Sequence, residues 1–305
     1  MIKHITVNNK NIEIVEDNIN SKYYIYNYFN NRTIIGNKEV VDHLVENSHL
    51  SIESPLYNFV EHKKKINILD FSLLKFKMPY SYIAKVGQYT KLTNMNVLVL
   101  ISLILSALFI FLNLDFYKFD FKEIKANIIY YVIVCYLTQL FILMLHEISH
   151  YYYYYEFFQP KYSVFGITFR YFSLFLFFTS VPFIDLMDKK NKEKLILAGI
   201  KTQIFIMGIF SIYGLLFGYN TYFQLIYCLN FLSIAFNLLP FFKLDGYWYA
   251  SSILRSNNYM IYFFDMLKRR KQFNFVVFIM GIINILMIFL LIIYSFLSLC
   301  NLFIK

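Results

Sequence analysis

The sequence predicts a mainly α-helical, polytopic membrane protein. It is expected to have about five transmembrane helices, a re-entrant or interfacial β-hairpin-like segment, and a small amino-terminal α+β module. Three observations carry this. Of the 305 residues, 58% are hydrophobic and only 16% charged, with a mean hydropathy of +0.49. Several apolar runs approach or exceed the ~20 residues that cross a bilayer. The first 85 residues or so are polar by contrast. The expected division is 1–85 as a cytosolic winged-helix-like module and 86–305 as a membrane-embedded domain.

In the module, Ile5, Val7, Ile12 and Ile14, then Tyr23 to Phe29, predict short strands between Asn-rich turns. Val40, Val41 and Leu44 have helical spacing, and Ser54-Pro55 reads as a helix start with Ser54 as N-cap. The bland reading is a cytosolic lid or regulatory domain; the sharper one is a binder of substrate peptide.

The membrane domain opens with an expected span over 95–114. A loop of mixed charge follows, with Lys118, Lys122 and Lys125 balanced by Asp115, Asp120 and Glu123. The second span is expected over 128–145, continued into the interface by the five tyrosines at 151–155. Residues 164–181 are apolar enough to be taken for a span, yet Ile167, Phe169 and Tyr171 alternate with Thr168 and Arg170, which is strand periodicity. A full crossing there would put His150 and Asp245 on opposite sides of the membrane, so the segment is read as a hairpin. Further spans are expected over 195–218, 222–239 and 273–299. In this arrangement Lys75, Lys77, Lys85 and Lys91, the 189–194 lysines and Lys268-Arg269-Arg270-Lys271 share one face. The positive-inside rule makes that face cytoplasmic, with the amino terminus on the same side.

No charged n-region with a short apolar core opens the chain, so the first spans are expected to direct it to the cell membrane. The net charge of +10 clusters beside the spans, where it orients the protein, so no nucleic-acid partner is expected. Cys135, Cys228 and Cys300 lie in apolar runs without metal or redox spacing. The abundance of Phe (35) and Tyr (28) reads as codon bias, which discounts individual tyrosines as functional signals.

The chemistry-bearing stretch is His146-Glu147-Ile148-Ser149-His150, at the end of the second apolar run. Histidines at i and i+4 lie on one helix face, about 6 Å apart, and can share one tetrahedral metal ion, with zinc the favoured one. The adjacent glutamate is placed to take a proton from a metal-bound water. These two are the only histidines beyond residue 62, and ionisable residues in an apolar span mark function. The competing reading is a pair of polar residues at a helix end, wetted by headgroups.

A catalytic zinc takes three protein ligands and an open position. With no third histidine nearby, a carboxylate is required, and the candidates are Glu156, Asp185, Asp188, Glu193, Asp245 and Asp265. Glu156 would point along a continuing helix, while Asp188, Glu193 and Asp265 sit among basic residues. Spacing leaves Asp185 open beside Asp245, which follows a helix-breaking Pro240 and precedes Gly246.

His146-Glu147-Ile148-Ser149-His150 within a span, with Asn237-Leu238-Leu239-Pro240 through Asp245-Gly246-Tyr247-Trp248 ending a later one, resembles the site-2 protease family of intramembrane zinc metalloproteases. The resemblance is closest to its bacterial peptide zinc metalloprotease branch and covers roughly residues 128–255. It implies His146, His150 and Asp245 as zinc ligands, Glu147 as general base and Asn237 as a polar residue near the substrate backbone. The chain departs from the family at Ala198-Gly199-Ile200, where a proline commonly follows the glycine, and at Gly246-Tyr247, where many members have two glycines.

The expected function is hydrolysis of a peptide bond in a membrane-associated or short peptide. The hairpin would hold substrate as an added strand, and peptide-maturation or export machinery would be a partner alongside the lipid bilayer. Two rivals stand beside it. One is a non-catalytic membrane accessory of peptide maturation or export that retains the fold, for which Glu147 would be superfluous. The other is a metal-permeation protein, which would need polar residues along other spans, and those read as nearly bare.

Overall fold

The computed structural model describes residues 4–7, 12–17, 22–27, 32–46, 56–60, 70–79, 85, 96–119, 121–158, 162–170, 174–184 and 187–304. Asp185 and the Ser54-Pro55 helix start lie outside them.

The chain begins with an antiparallel meander of β1 (His4–Val7), β2 (Ile12–Asp17), β3 (Lys22–Asn27) and β4 (Arg32–Gly36), followed by α1 (Lys38–Glu46) and the single turn α2 (Tyr57–Val60). Alternation gives this sheet two apolar faces. Ile12, Ile14 and Ile25 pack under Val41, Leu44, Phe59 and Val60. Val15 and Tyr26 point the other way, onto Tyr151, Tyr154, Phe158 and Phe183. Asn27 ties the helical side down by donating from Nδ2 to the carbonyls of Phe59 (2.8 Å) and Val60 (3.2 Å).

From residue 96 onward the chain is mostly helical. It comprises α3 (Asn96–Leu112), α4 (Phe121–Ala126), α5 (Ile128–Phe158), α6 (Lys189–Phe217), α7 (Thr221–Leu238), α8 (Asp245–Ile253), α9 (Tyr259–Leu267) and α10 (Phe275–Ile304). Among the described residues, four helices are long and apolar enough to cross a membrane: α5, α6, α7 and the Phe275–Tyr294 part of α10. At the place of the expected first span, α3 is apolar but has 17 residues, about 26 Å at 1.5 Å per residue. The most apolar stretch of α6 is 56% buried, against 17% for α5 and 33% for α7. It is therefore the central post, touching α3, α5, α7 and α8. Small residues let its neighbours close in: a Cβ at Gly208 would meet the Ser102 side chain at 2.5 Å.

The strand periodicity of 164–181 prevails over its apolarity. β6 (Tyr162–Arg170) and β7 (Leu174–Thr179) form an antiparallel hairpin, paired from Phe165↔Thr179 to Arg170↔Leu174. A third strand, β5 (Asp70–Pro79), joins it from within the first 85 residues, pairing with β6 from Asp70↔Arg170 to Pro79↔Tyr162 with a bulge near Ser72. The sheet order is β5-β6-β7, which leaves β7 at an edge among the described strands. A Cβ at Gly166 would lie 2.4 Å from the Leu74 carbonyl, so this close strand approach needs glycine.

The expected helical continuation through the tyrosine run is present, since α5 extends to Phe158. The tyrosines themselves are not interchangeable: Tyr151 and Tyr154 are each 1% exposed. They pack with Phe158, Phe183 and Leu195 against Val15 and Tyr26 of the amino-terminal sheet. Tyr26 meets Phe183 edge-on at 5.9 Å, and Thr33 Oγ1 donates to the Pro182 carbonyl at 3.3 Å. The amino-terminal sheet is thus docked beside the strand end that leads into residues 181–184.

Candidate metal centre

Two turns of α5 bring His146 and His150 to one buried face, 4% and 7% exposed. Their Nε2 atoms are 3.0 Å apart. Asp245, at the first position of α8, places Oδ2 3.2 Å from His146 Nε2 and 3.3 Å from His150 Nε2.

These three atoms fit a metal. Donors 2.0–2.1 Å from a tetrahedral ion stand about 3.3 Å from one another, close to the edges seen here. Asp245 Oδ2 is buried and accepts no hydrogen bond from the described residues, which leaves its lone pairs for an ion. The far nitrogens of both rings face oxygens that can only accept. His150 Nδ1 lies 2.7 Å from the Leu195 carbonyl, and His146 Nδ1 lies 3.0 Å from Gln203 Oε1. Acceptors there keep the proton on Nδ1, so both Nε2 lone pairs turn to the shared point. His146, His150 and Asp245 therefore form a buried group able to hold a metal ion.

The backbone that delivers Asp245 is held from several sides. Pro240 ends α7, and Lys243 adopts φ 46, reversing the chain. Gly246 then starts α8 hard against α7, where a Cβ would fall 2.2 Å from the Leu238 carbonyl. Tyr259 donates to the Pro240 carbonyl at 2.6 Å, and Asn284 of α10 donates to the Phe241 carbonyl at 2.6 Å. Tyr247, at the departure noted at Gly246-Tyr247, is wholly buried and donates to Asn258 Oδ1 at 2.5 Å. The other departure, Ala198-Gly199-Ile200, lies in unbroken helix. There Gly199 has a specific task, since a Cβ would meet the His146 ring at 2.5 Å.

Glu147 stands beside the metal group, on the wall of a cavity of about 380 Å³. Thr179, the last residue of β7, donates to Glu147 Oε2 at 2.8 Å. Leu143, Phe177, Val181, Leu195 and Trp248 are among the cavity's apolar walls, Lys192 and Lys243 also line it, and Asn237 opens onto it. Asn237 also donates from Nδ2 to Gln203 Oε1 at 3.2 Å.

The structure thus brings together His146, His150, Asp245, Glu147 and Asn237. Of the other carboxylates weighed, Asp188 caps α6 and Glu193 meets Ser252 Oγ at 3.3 Å and Lys189 Nζ at 3.8 Å. Sequence reasoning missed Thr179 and Gln203. Nothing local marks Thr179, because the fold alone carries it to Glu147. Gln203 was visible as an amide within an apolar span, the kind of residue that marks function in a membrane. The reading of the spans as nearly bare does not hold: Thr202, Gln203, Ser211, Gln224 and Asn230 are all buried. These residues bond to one another and to backbone carbonyls across the bundle, for instance Ser211 with Ser106 (3.1 Å) and Tyr227 (3.0 Å), and Gln224 with the Phe116 carbonyl (2.6 Å).

Compared with known proteins, the chain matches no family model, no curated protein and no solved structure.

Proposed function

We propose that this chain is an intramembrane zinc metalloprotease of the site-2 protease kind, cutting a membrane-associated or short peptide. The observation that carries the reading is the joint placement of His146, His150 and Asp245 at ligand spacing with Glu147 on the same cavity wall. A metal cage alone has no use for that carboxylate, which weighs against the accessory reading.

Zinc at this group would supply a Lewis acid for a peptide carbonyl and acidify a water. The chain's own residues do the rest. Glu147, with Oε2 held by Thr179, accepts the proton of the attacking water at its other oxygen and returns it to the leaving amine. β7 pairs with β6 on one side only among the described strands, and its Leu176 to Thr179 line the cavity. An extended substrate adding to that edge would have its backbone fixed by main-chain hydrogen bonds. Asn237 would hold a further backbone group.

The proposed topology has five crossings, with α3 counted among them and the hairpin re-entrant. β5 precedes α3 and pairs with β6, which follows α5. The two strands share a side only when α3 and α5 both cross or neither does. The Lys189–Lys194 and Lys268–Lys271 clusters favour the cytoplasm for the end that carries the metal group and the amino terminus. Peptide-maturation or export machinery is the proposed partner.

The test is zinc content together with cleavage in reconstituted membranes, for wild type and Glu147→Gln. Equal zinc with cleavage in wild type only supports the reading; cleavage that survives Glu147→Gln sinks it.

A further inference from the structure

We infer that Gln203 is a positioning residue that aims His146 at the metal and turns Asn237 toward the substrate. The inference rests on the reading of His146, His150 and Asp245 as a metal centre. It does not depend on what the protein cleaves.

Gln203 sits midway along α6 with no exposed surface. A buried amide has two unlike ends, and the end that meets His146 decides what that ring can do. Its nitrogen end is committed to α7: Nε2 donates to Ser233 Oγ at 2.9 Å and to Asn230 Oδ1 at 3.4 Å. Asn230 is fixed in turn, because its Nδ2 donates to the Gln203 backbone carbonyl at 3.2 Å. Residues 230, 233 and 237 recur at helical spacing, so one face of α7 presents all three.

With Nε2 so occupied, Oε1 has no choice of direction. It accepts from His146 Nδ1 at 3.0 Å and from Asn237 Nδ2 at 3.2 Å. Two lone pairs and two N–H groups are then all used, and a flipped amide would set NH₂ against NH₂ at Asn237. An acceptor at Nδ1 fixes the His146 tautomer that leaves Nε2 free for a metal. The same oxygen holds the NH₂ of Asn237 away from the cavity that Asn237 lines, which leaves Oδ1 for a substrate N–H. One carbonyl thus sets a metal ligand and a substrate contact together.

The test uses the full-length protein, stripped of metal and titrated with zinc against a chelator, with cobalt(II) as a spectroscopic probe. Gln203→Leu is expected to weaken zinc binding about 10- to 100-fold and to shift the cobalt visible bands. Gln203→Glu keeps an oxygen facing Nδ1 but loses the donors to Ser233 and Asn230. It is expected to restore zinc affinity while sharing the lower thermal midpoint. A purely structural glutamine would instead give equal losses of affinity in both variants, and that result overturns the inference, as does unchanged affinity in Gln203→Leu. If Gln203→Leu does not fold, Gln203→Asn, one carbon too short to reach Nδ1, carries the same expectation and the same means of refutation. Wild type that binds neither zinc nor cobalt removes the metal-centre reading itself, and the inference with it.

Discussion

Thr179 directs one hydroxyl at two atoms of Glu147, the carboxylate Oε2 at 2.8 Å and the backbone carbonyl at 3.1 Å. The last residue of β7 therefore holds the carboxylate of the residue that stands between the two histidines. A hydrogen bond to a charged group contributes about 1.5–3 kcal/mol. Thr179→Ala is expected to lower kcat about tenfold or more with bound zinc unchanged, and Thr179→Ser to recover most of it. Loss of zinc in Thr179→Ala would show a structural role instead.

The metal group makes a second prediction. His146→Ala, His150→Ala and Asp245→Ala should each abolish stoichiometric zinc, whereas Asp188→Ala and Glu193→Ala should keep it. Asp185→Ala is expected to keep it too, since Asp245 already completes the proposed set of three ligands. Metal analysis of the purified variants decides, and a zinc-loaded Asp245→Ala would return the third ligand to Asp185.

Gly199 gives a sharper steric test. A methyl group there would meet the His146 ring at 2.5 Å, so the ring or the helix must yield. Gly199→Ala is expected to cost about 1–3 kcal/mol of stability from overpacking and to weaken zinc binding. Adding alanine elsewhere on α6, at the exposed Ile209, should do neither. Calorimetry with and without metal separates the two effects.

The docked sheet changes what a truncation reports. Deleting residues 1–80 removes β5 with the module, and β6 then loses a partner along its length from Tyr162 to Arg170. Such a protein is expected to lose folded hairpin as well as any substrate recruitment. Deleting 1–60 keeps β5 but strips the cover from Tyr151, Tyr154 and Phe183. Tyr26→Ala is the gentler probe: it is expected to cost about 3 kcal/mol, as loss of a buried aromatic does, without touching the metal. Thermal midpoints and zinc content of the three proteins distinguish a recruiting tether from a wall of the site.

Topology is checked by cysteines introduced at Lys190 and Asn257. Both should label from the cytoplasmic side. Labelling of the first from outside alone would break the common-side arrangement.

Much of the site was legible because it is local. His146, Glu147 and His150 need only one helix, and Pro240 with Gly246 announces a chain reversal around Asp245. Strand character around Ile167 to Arg170 was readable from alternation despite the apolarity of the segment. What escaped depends on contacts between distant segments. β5 is an ordinary amphipathic stretch until β6 lies beside it. Tyr151 and Tyr154 look like their neighbours in a tyrosine run, and only the docked sheet sets them apart. Thr179 reaches Glu147 across 32 positions of sequence, and no spacing rule foretells that.

The pairing of β5 with β6 also bears on how the chain is made. β5 leaves the ribosome with its partner still unsynthesised, and two apolar helices must be placed before β6 arrives. During that interval a strand carrying Leu73, Leu74 and Phe76 waits without its neighbour. Closing so long a loop is slow relative to forming a helix. The three-stranded sheet is therefore expected to be among the last parts to mature, so that the wall holding Glu147 assembles only after the flanking helices are in place.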